Sequence, residues 1–165
     1  MEKPEITIDL KPQLEDYLIH EFKNDGTGAI LLTERHDVGL FVNSMWNASN
    51  FPKPLRPMEN PVKLILPITE DNHYVFTSKF IYVPAWKEAM LIKFIEADFR
   101  RMVRDYFCVG YEKKFHQKDI IESLLQHYGM KNNAINFDQI KKLDYRNREN
   151  FKKSVSYEIQ TSICQ

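Results

Sequence analysis

The sequence predicts an α+β fold: a small, mostly antiparallel sheet packed on a long helix, followed by a C-terminal helix-turn-helix-like helical pair. Three observations carry this. Runs of β-branched and aromatic residues bounded by turn residues fall within 29–42 and 62–83, the signature of strands. A broad apolar pattern at helical spacing runs from Trp86 to about Phe107, wide enough to cover a sheet. Beyond Gly110, two amphipathic patterns follow one another across a short connector. The predicted organisation is an α+β core domain at 1–110 and a basic helical subdomain at 111–165.

Each element has a local reason. Ile6-Thr7-Ile8-Asp9-Leu10 alternates as a half-buried strand does. Pro12 then opens a helix in which Leu14, Tyr17, Leu18 and Phe22 recur at helical spacing; proline suits the first turn because its missing N–H has no partner there. Asn24–Gly28 ends that helix. Ala29–Thr33 and Val38–Val42 read as a hairpin around the polar turn Glu34–Asp37. Residues 43–61 carry Pro52, Pro54, Pro57 and Pro61 and no period, which predicts a long loop holding Trp46, Phe51, Leu55 and Met58. Val62–Pro67 and His73–Val83 read as a second strand pair, stopped by Pro84.

In the helix from Trp86, Leu91, Ile95, Phe99, Met102 and Tyr106 form one stripe, and Cys108 falls among its buried-looking residues. Helix 117–128 turns Ile120, Ile121, Leu124, Leu125 and Tyr128 inward, with Gly129 as its C-cap. Asn136 is the predicted N-cap of helix 136–153, whose inward side is Phe137, Ile140, Leu143 and Phe151. The tail from Val155 alternates weakly, as an edge strand or a loose end would.

Composition narrows the functional classes. The chain has 165 residues, 43% apolar and 13% aromatic, enough to bury roughly 70% of its unfolded surface without staples. Cys108 and Cys164 form no disulfide framework, and the first twenty residues show no leader, so a reducing cytoplasmic setting and no membrane association are expected. The net charge is zero but unevenly spread. Residues 1–112 sum to −4 and residues 113–153 to +5, a basic segment of the kind that meets polyanions.

That segment supplies the candidate site. Lys141, Tyr145, Arg148 and Lys152 fall in one helical line, flanked by Lys142, Arg146 and Lys153. Basic side chains reach phosphates, arginine can fork onto guanine edges, and a tyrosine hydroxyl can reach a backbone oxygen. Helix, Gly-containing turn and helix resemble a helix-turn-helix with 136–153 as its recognition helix. The expected function is therefore non-catalytic binding of double-stranded DNA, regulatory or associated with a mobile element, by a homodimer. Pairing of the same basic residues with Asp138, Asp144 and Glu149 would instead favour a scaffold or protein-interaction module, its partner held at the loop 43–61. A third reading, a metal-dependent nuclease, requires Glu34, His36, Asp37, Asp71 and His73 to converge. No HExxH, CxxC, P-loop, GxGxxG or GxSxG pattern occurs, so no catalytic residue, metal site or cofactor is expected.

Overall fold

The computed structural model describes residues 4–54 and 56–163; Leu55 and Cys164, both singled out in the sequence, lie outside the described residues. The chain divides into two compact units, Met1–Asp98 and Phe99–Gln165.

The first unit runs β1 (Glu5–Asp9), α1 (Pro12–Glu21), β2 (Lys23–Asn24), β3 (Ile30–Leu31), α2 (Asp37–Asn43), β4 (Asn47–Ser49), β5 (Pro61–Ile65), α3 (His73–Ser78), β6 (Phe80–Tyr82) and the start of α4 (Ala85–Glu112). Its main sheet has the order β1-β5-β3-β2. β1 pairs antiparallel with β5, from Glu5 opposite Ile65 to Asp9 opposite Pro61. β2 pairs antiparallel with β3, whereas β3 and β5 are parallel. The mostly antiparallel sheet packs against α4, as the sequence predicts. Ile6 and Ile8 from β1, Val62 and Leu64 from β5, and Leu91 and Ile95 from α4 are all buried.

Polar contacts pin these layers. Glu88 of α4 is buried and accepts both the Asp9 backbone N–H (3.1 Å) and the Arg56 guanidinium (2.6 Å). The Asp9 carboxylate in turn accepts the N–H groups of Asn60 (2.8 Å) and Glu59 (3.2 Å). Those two bonds hold the Asp9 carboxyl below the usual carboxylate range. Tyr17 of α1 donates to Asp98 of α4 at 2.6 Å in the interior. The proline-bearing segment is thereby tied at Arg56, Glu59 and Asn60 to β1 and α4.

Several expected strands are something else. Val38–Val42 is not the second strand of a hairpin but most of helix α2. His36 caps it, its Nδ1 accepting the Val38 N–H at 3.2 Å, and Val38, Gly39 and Val42 are buried at helical spacing. A five-residue apolar run has no period that separates a strand from a buried helical turn. Likewise the expected strand His73–Val83 splits into α3 and the three-residue β6. Buried Asn72 makes the difference, accepting the Thr69 N–H (2.7 Å) and donating to the Pro67 carbonyl (3.0 Å), so the chain turns into a helix. The pairing changes with it: β5 finds β1 and β3, while β6 pairs antiparallel with β4, a short strand inside the expected loop 43–61.

The second unit holds the rest of α4, α5 (Gln117–His127) and α6 (Ala134–Ile163). Phe99, Val103 and Phe107 of α4, Ile120, Ile121, Leu124 and Leu125 of α5, and Ile140 of α6 are its buried core. Gly110 permits close approach of α4 and α5, since a Cβ there would sit 2.6 Å from Ile120 Cδ1. Gly129 follows α5 with φ +66°, the left-handed conformation a helix C-terminus uses. α6 starts two residues before Asn136: the expected cap role falls to Asn133, whose Oδ1 accepts the Asn136 N–H at 2.8 Å. The tail is neither edge strand nor loose, because α6 continues through Ile163.

Gly39 tests the α2 assignment. A Cβ there would lie 2.0 Å from the Thr33 carbonyl oxygen, which is backbone and cannot swing away. Gly39→Ala is expected to cost about 3 kcal/mol in urea unfolding, although alanine is the better helix former by about 1 kcal/mol; a neutral or stabilised variant would contradict this packing.

Candidate nucleic-acid interface

One carboxylate bonds to all three helices of the second unit. Asp144 is 2% exposed along its side chain. It accepts the Tyr111 hydroxyl (2.8 Å) from α4, the Gln117 amide (2.6 Å) from the first turn of α5 and the Arg148 guanidinium (2.9 Å) one turn along α6. A buried charge is tolerated only when several donors replace its water, and here they come from all three helices. Arg148 also lies over the Tyr111 ring, 5.5 Å from its centroid. Burial and the bond to Asp144 push the Tyr111 hydroxyl up to about 12.

The predicted line along α6 accordingly divides in two. Lys141, Lys142, Tyr145 and Arg146 are exposed. Together with Gln117, Asp138 and Arg148 they line an open concavity of about 390 Å³. Lys141 and Tyr145, like Lys142 and Arg146, are four residues apart and so form adjacent rows. Arg148 and Lys152 are committed otherwise: Arg148 to Asp144, and Lys152 to Glu149 at 3.6 Å. Asp138 is the one carboxylate among the concavity's lining residues.

Two expectations about α4 and α6 need correction. Cys108 is exposed rather than part of the core. Val103, Phe107 and Gly110 face inward at steps of four and three, and Cys108 is turned about 100° from Phe107. Phe151 is also exposed, not inward; α6, with 30 residues, extends well past what the 11-residue α5 can cover. On this side Phe107, Cys108, Tyr111, Asn147 and Phe151 line a second, apolar groove of about 410 Å³. Its flanking cations are already matched, Arg104 by Asp105 (2.8 Å), Arg148 by Asp144 and Lys152 by Glu149.

The turn residues named for a metal site are engaged separately. Glu34 accepts from Asn43 (2.7 Å), His36 caps α2, Asp37 begins α2, and Asp71 and His73 stand at the start of α3. Among the described residues no group of three or more His, Cys, Asp or Glu side chains is placed to hold a metal ion. Among the same residues no helix is long and apolar enough to cross a membrane.

The sequence reading missed Asp144 as the centre of the unit and Gln117 as part of the concavity. The available signal was the i,i+4 spacing of Asp144 and Arg148 beside the apolar positions Ile140 and Leu143. Comparison with protein-family models, curated protein sequences and solved structures finds no match.

Asp144→Ala would leave three donors unpaired, and a loss of about 3 kcal/mol in thermal or chemical unfolding is expected. Alkaline titration gives an independent check. The folded state prefers neutral Tyr111, so its contribution to stability is complete below pH 10 and is lost as pH rises toward 12. Tyr111 should ionise late by phenolate absorption, and Tyr111→Phe should remove one tyrosine's absorbance change from the late phase.

Proposed function

We propose that this chain is a non-catalytic DNA-binding protein that sets the basic face of α6 against double-stranded DNA. The observation that supports the reading most is the concavity in which Lys141, Lys142 and Arg146 meet a single carboxylate, Asp138. Among the described residues none of these three cations forms an ion pair; such cations attract a polyanion, and each contact to a phosphate releases condensed counterions. Tyr145, 61% exposed, would bond a phosphate oxygen and hold the helix in register.

Rigidity adds to this. Because Arg148 and Asp144 fasten α6 to the ends of α4 and α5, the cations sit on a helix that is already ordered, and less entropy is lost on binding. In this proposal Arg148 and Lys152 chiefly support the surface, while Lys141, Lys142 and Arg146 touch DNA. The α5–α6 pair would dock as a helix-turn-helix does, in a cytoplasmic homodimer whose two copies read paired half-sites.

Fluorescence anisotropy with a random-sequence duplex at about 50 and 200 mM salt tests the reading. Affinity should fall steeply with salt. Lys141→Ala/Lys142→Ala/Arg146→Ala should weaken binding at least tenfold and flatten the log–log salt slope by about 0.9 per lost contact. Binding indifferent to that triple substitution, or absent at micromolar protein, would sink the proposal.

A further inference from the structure

The first unit carries a second surface whose chemistry differs from that of α6. Residues 44–54 and 79–87, the segments around β4 and β6, contain five aromatic residues, three lysines and no Asp or Glu. The antiparallel register puts Asn47 opposite Tyr82 and Ser49 opposite Phe80. Opposed residues share a sheet face, and residues two apart on a strand do likewise. Phe80 and Tyr82 therefore stand side by side on one face, roughly 7 Å apart.

Three lysines lie around the β4–β6 pair. Lys87 donates to Asn47 at 2.7 Å, and Lys53 lies over the Tyr82 ring at 5.7 Å. Lys79 donates to Asn50. Each ammonium group is held by an amide or a ring rather than a carboxylate, so the charge of the patch is not cancelled. Phe51, Phe80 and Trp86 are 75%, 50% and 63% exposed. Trp46 serves differently: its indole N–H bonds Asn43 (3.1 Å) and its ring packs on Phe76, which anchors the patch from beneath.

From this juxtaposition we infer that the β4–β6 face binds single-stranded nucleic acid, Phe80 and Tyr82 each stacking a base while Lys53, Lys79 and Lys87 meet the phosphates. Aromatic rings interleaved with uncompensated cations are what an extended, unpaired strand requires: every base has a π-face, and every linkage carries a negative charge. A duplex hides its base faces and gains nothing from exposed rings. A purely apolar partner would leave three lysines to be desolvated without compensation. Rings and ammonium groups are blind to the sugar, so DNA and RNA strands should bind alike. The inference does not rest on the DNA-binding role of α6.

The test is titration of the full chain with dT12 and rU12, followed by anisotropy and by tryptophan fluorescence in a Trp46→Phe background, where Trp86 is the remaining indole. Both oligonucleotides should bind within about threefold of each other and quench Trp86. Phe80→Ala should weaken binding about tenfold, the effect of losing one stacked base. Phe51→Ala and Trp86→Ala, at exposed positions that leave the fold intact, should weaken it several-fold. Lys53→Gln/Lys79→Gln/Lys87→Gln should flatten the salt slope, by about 0.7 per lost contact for a single strand. Duplex binding in the ring variants should stay unchanged, while Lys141→Ala/Lys142→Ala/Arg146→Ala should leave the quenching of Trp86 by dT12 unchanged. Absence of oligonucleotide binding overturns the inference. So does binding insensitive to all the ring and lysine variants, or a patch that takes up an acidic peptide and no oligonucleotide.

Discussion

The second unit depends on one buried carboxylate, Asp144. The Asp144 carboxylate is buried among apolar side chains, and the Tyr111 hydroxyl, the Gln117 amide and the Arg148 guanidinium supply the hydrogen bonds that burial removes. Each donor belongs to a different helix, so satisfying the carboxylate and assembling the unit are the same event. Hydrophobic burial of Ile121, Leu124, Leu125 and Ile140 supplies most of the driving force. It is non-directional, however, and does not specify which turn of α6 meets which turn of α5. The carboxylate does specify this, and so decides that Lys141 and Tyr145 face solvent beside the start of α5.

The first unit solves a related problem at Glu88. Here the buried carboxylate takes one backbone N–H from β1 and one guanidinium from the proline-bearing segment. Side chains of the segment that would otherwise be a free loop are thereby drawn onto helix and sheet. β4 lies in the same segment, which gives Phe51 and the β4–β6 pair a structured base.

Helical periodicity was the most legible part of the fold. α1, α4 and α5 each show several apolar residues at steps of three and four, and their limits lie within a few residues of those the pattern implies. Short elements were opaque for a physical reason. Val38–Val42 and His73–Ser78 are β-branched or aromatic runs too brief to show a period, and each becomes helical through one polar cap or turn residue, His36 or Asn72. Strand partners were equally hidden, because nothing local in Ile6–Leu10 names Val62–Leu66 as its neighbour. At the basic surface, the residue types on α6 were plain in the sequence, but their division into exposed and internally paired cations was not. That division depends on Asp144 being buried, a tertiary fact.

The register of β1 against β5 also has a kinetic meaning. Its pairs join residues 52 apart, Asp9 and Pro61, up to 60 apart, Glu5 and Ile65. Loop closure must be completed before such contacts return any free energy, so the sheet carries a larger closure cost than local helical contacts do. The α5–α6 contacts close over far shorter stretches. During synthesis Glu5 emerges before Ile65 and waits unpaired until its partner is available, so β1 is open to wrong partners in the interval.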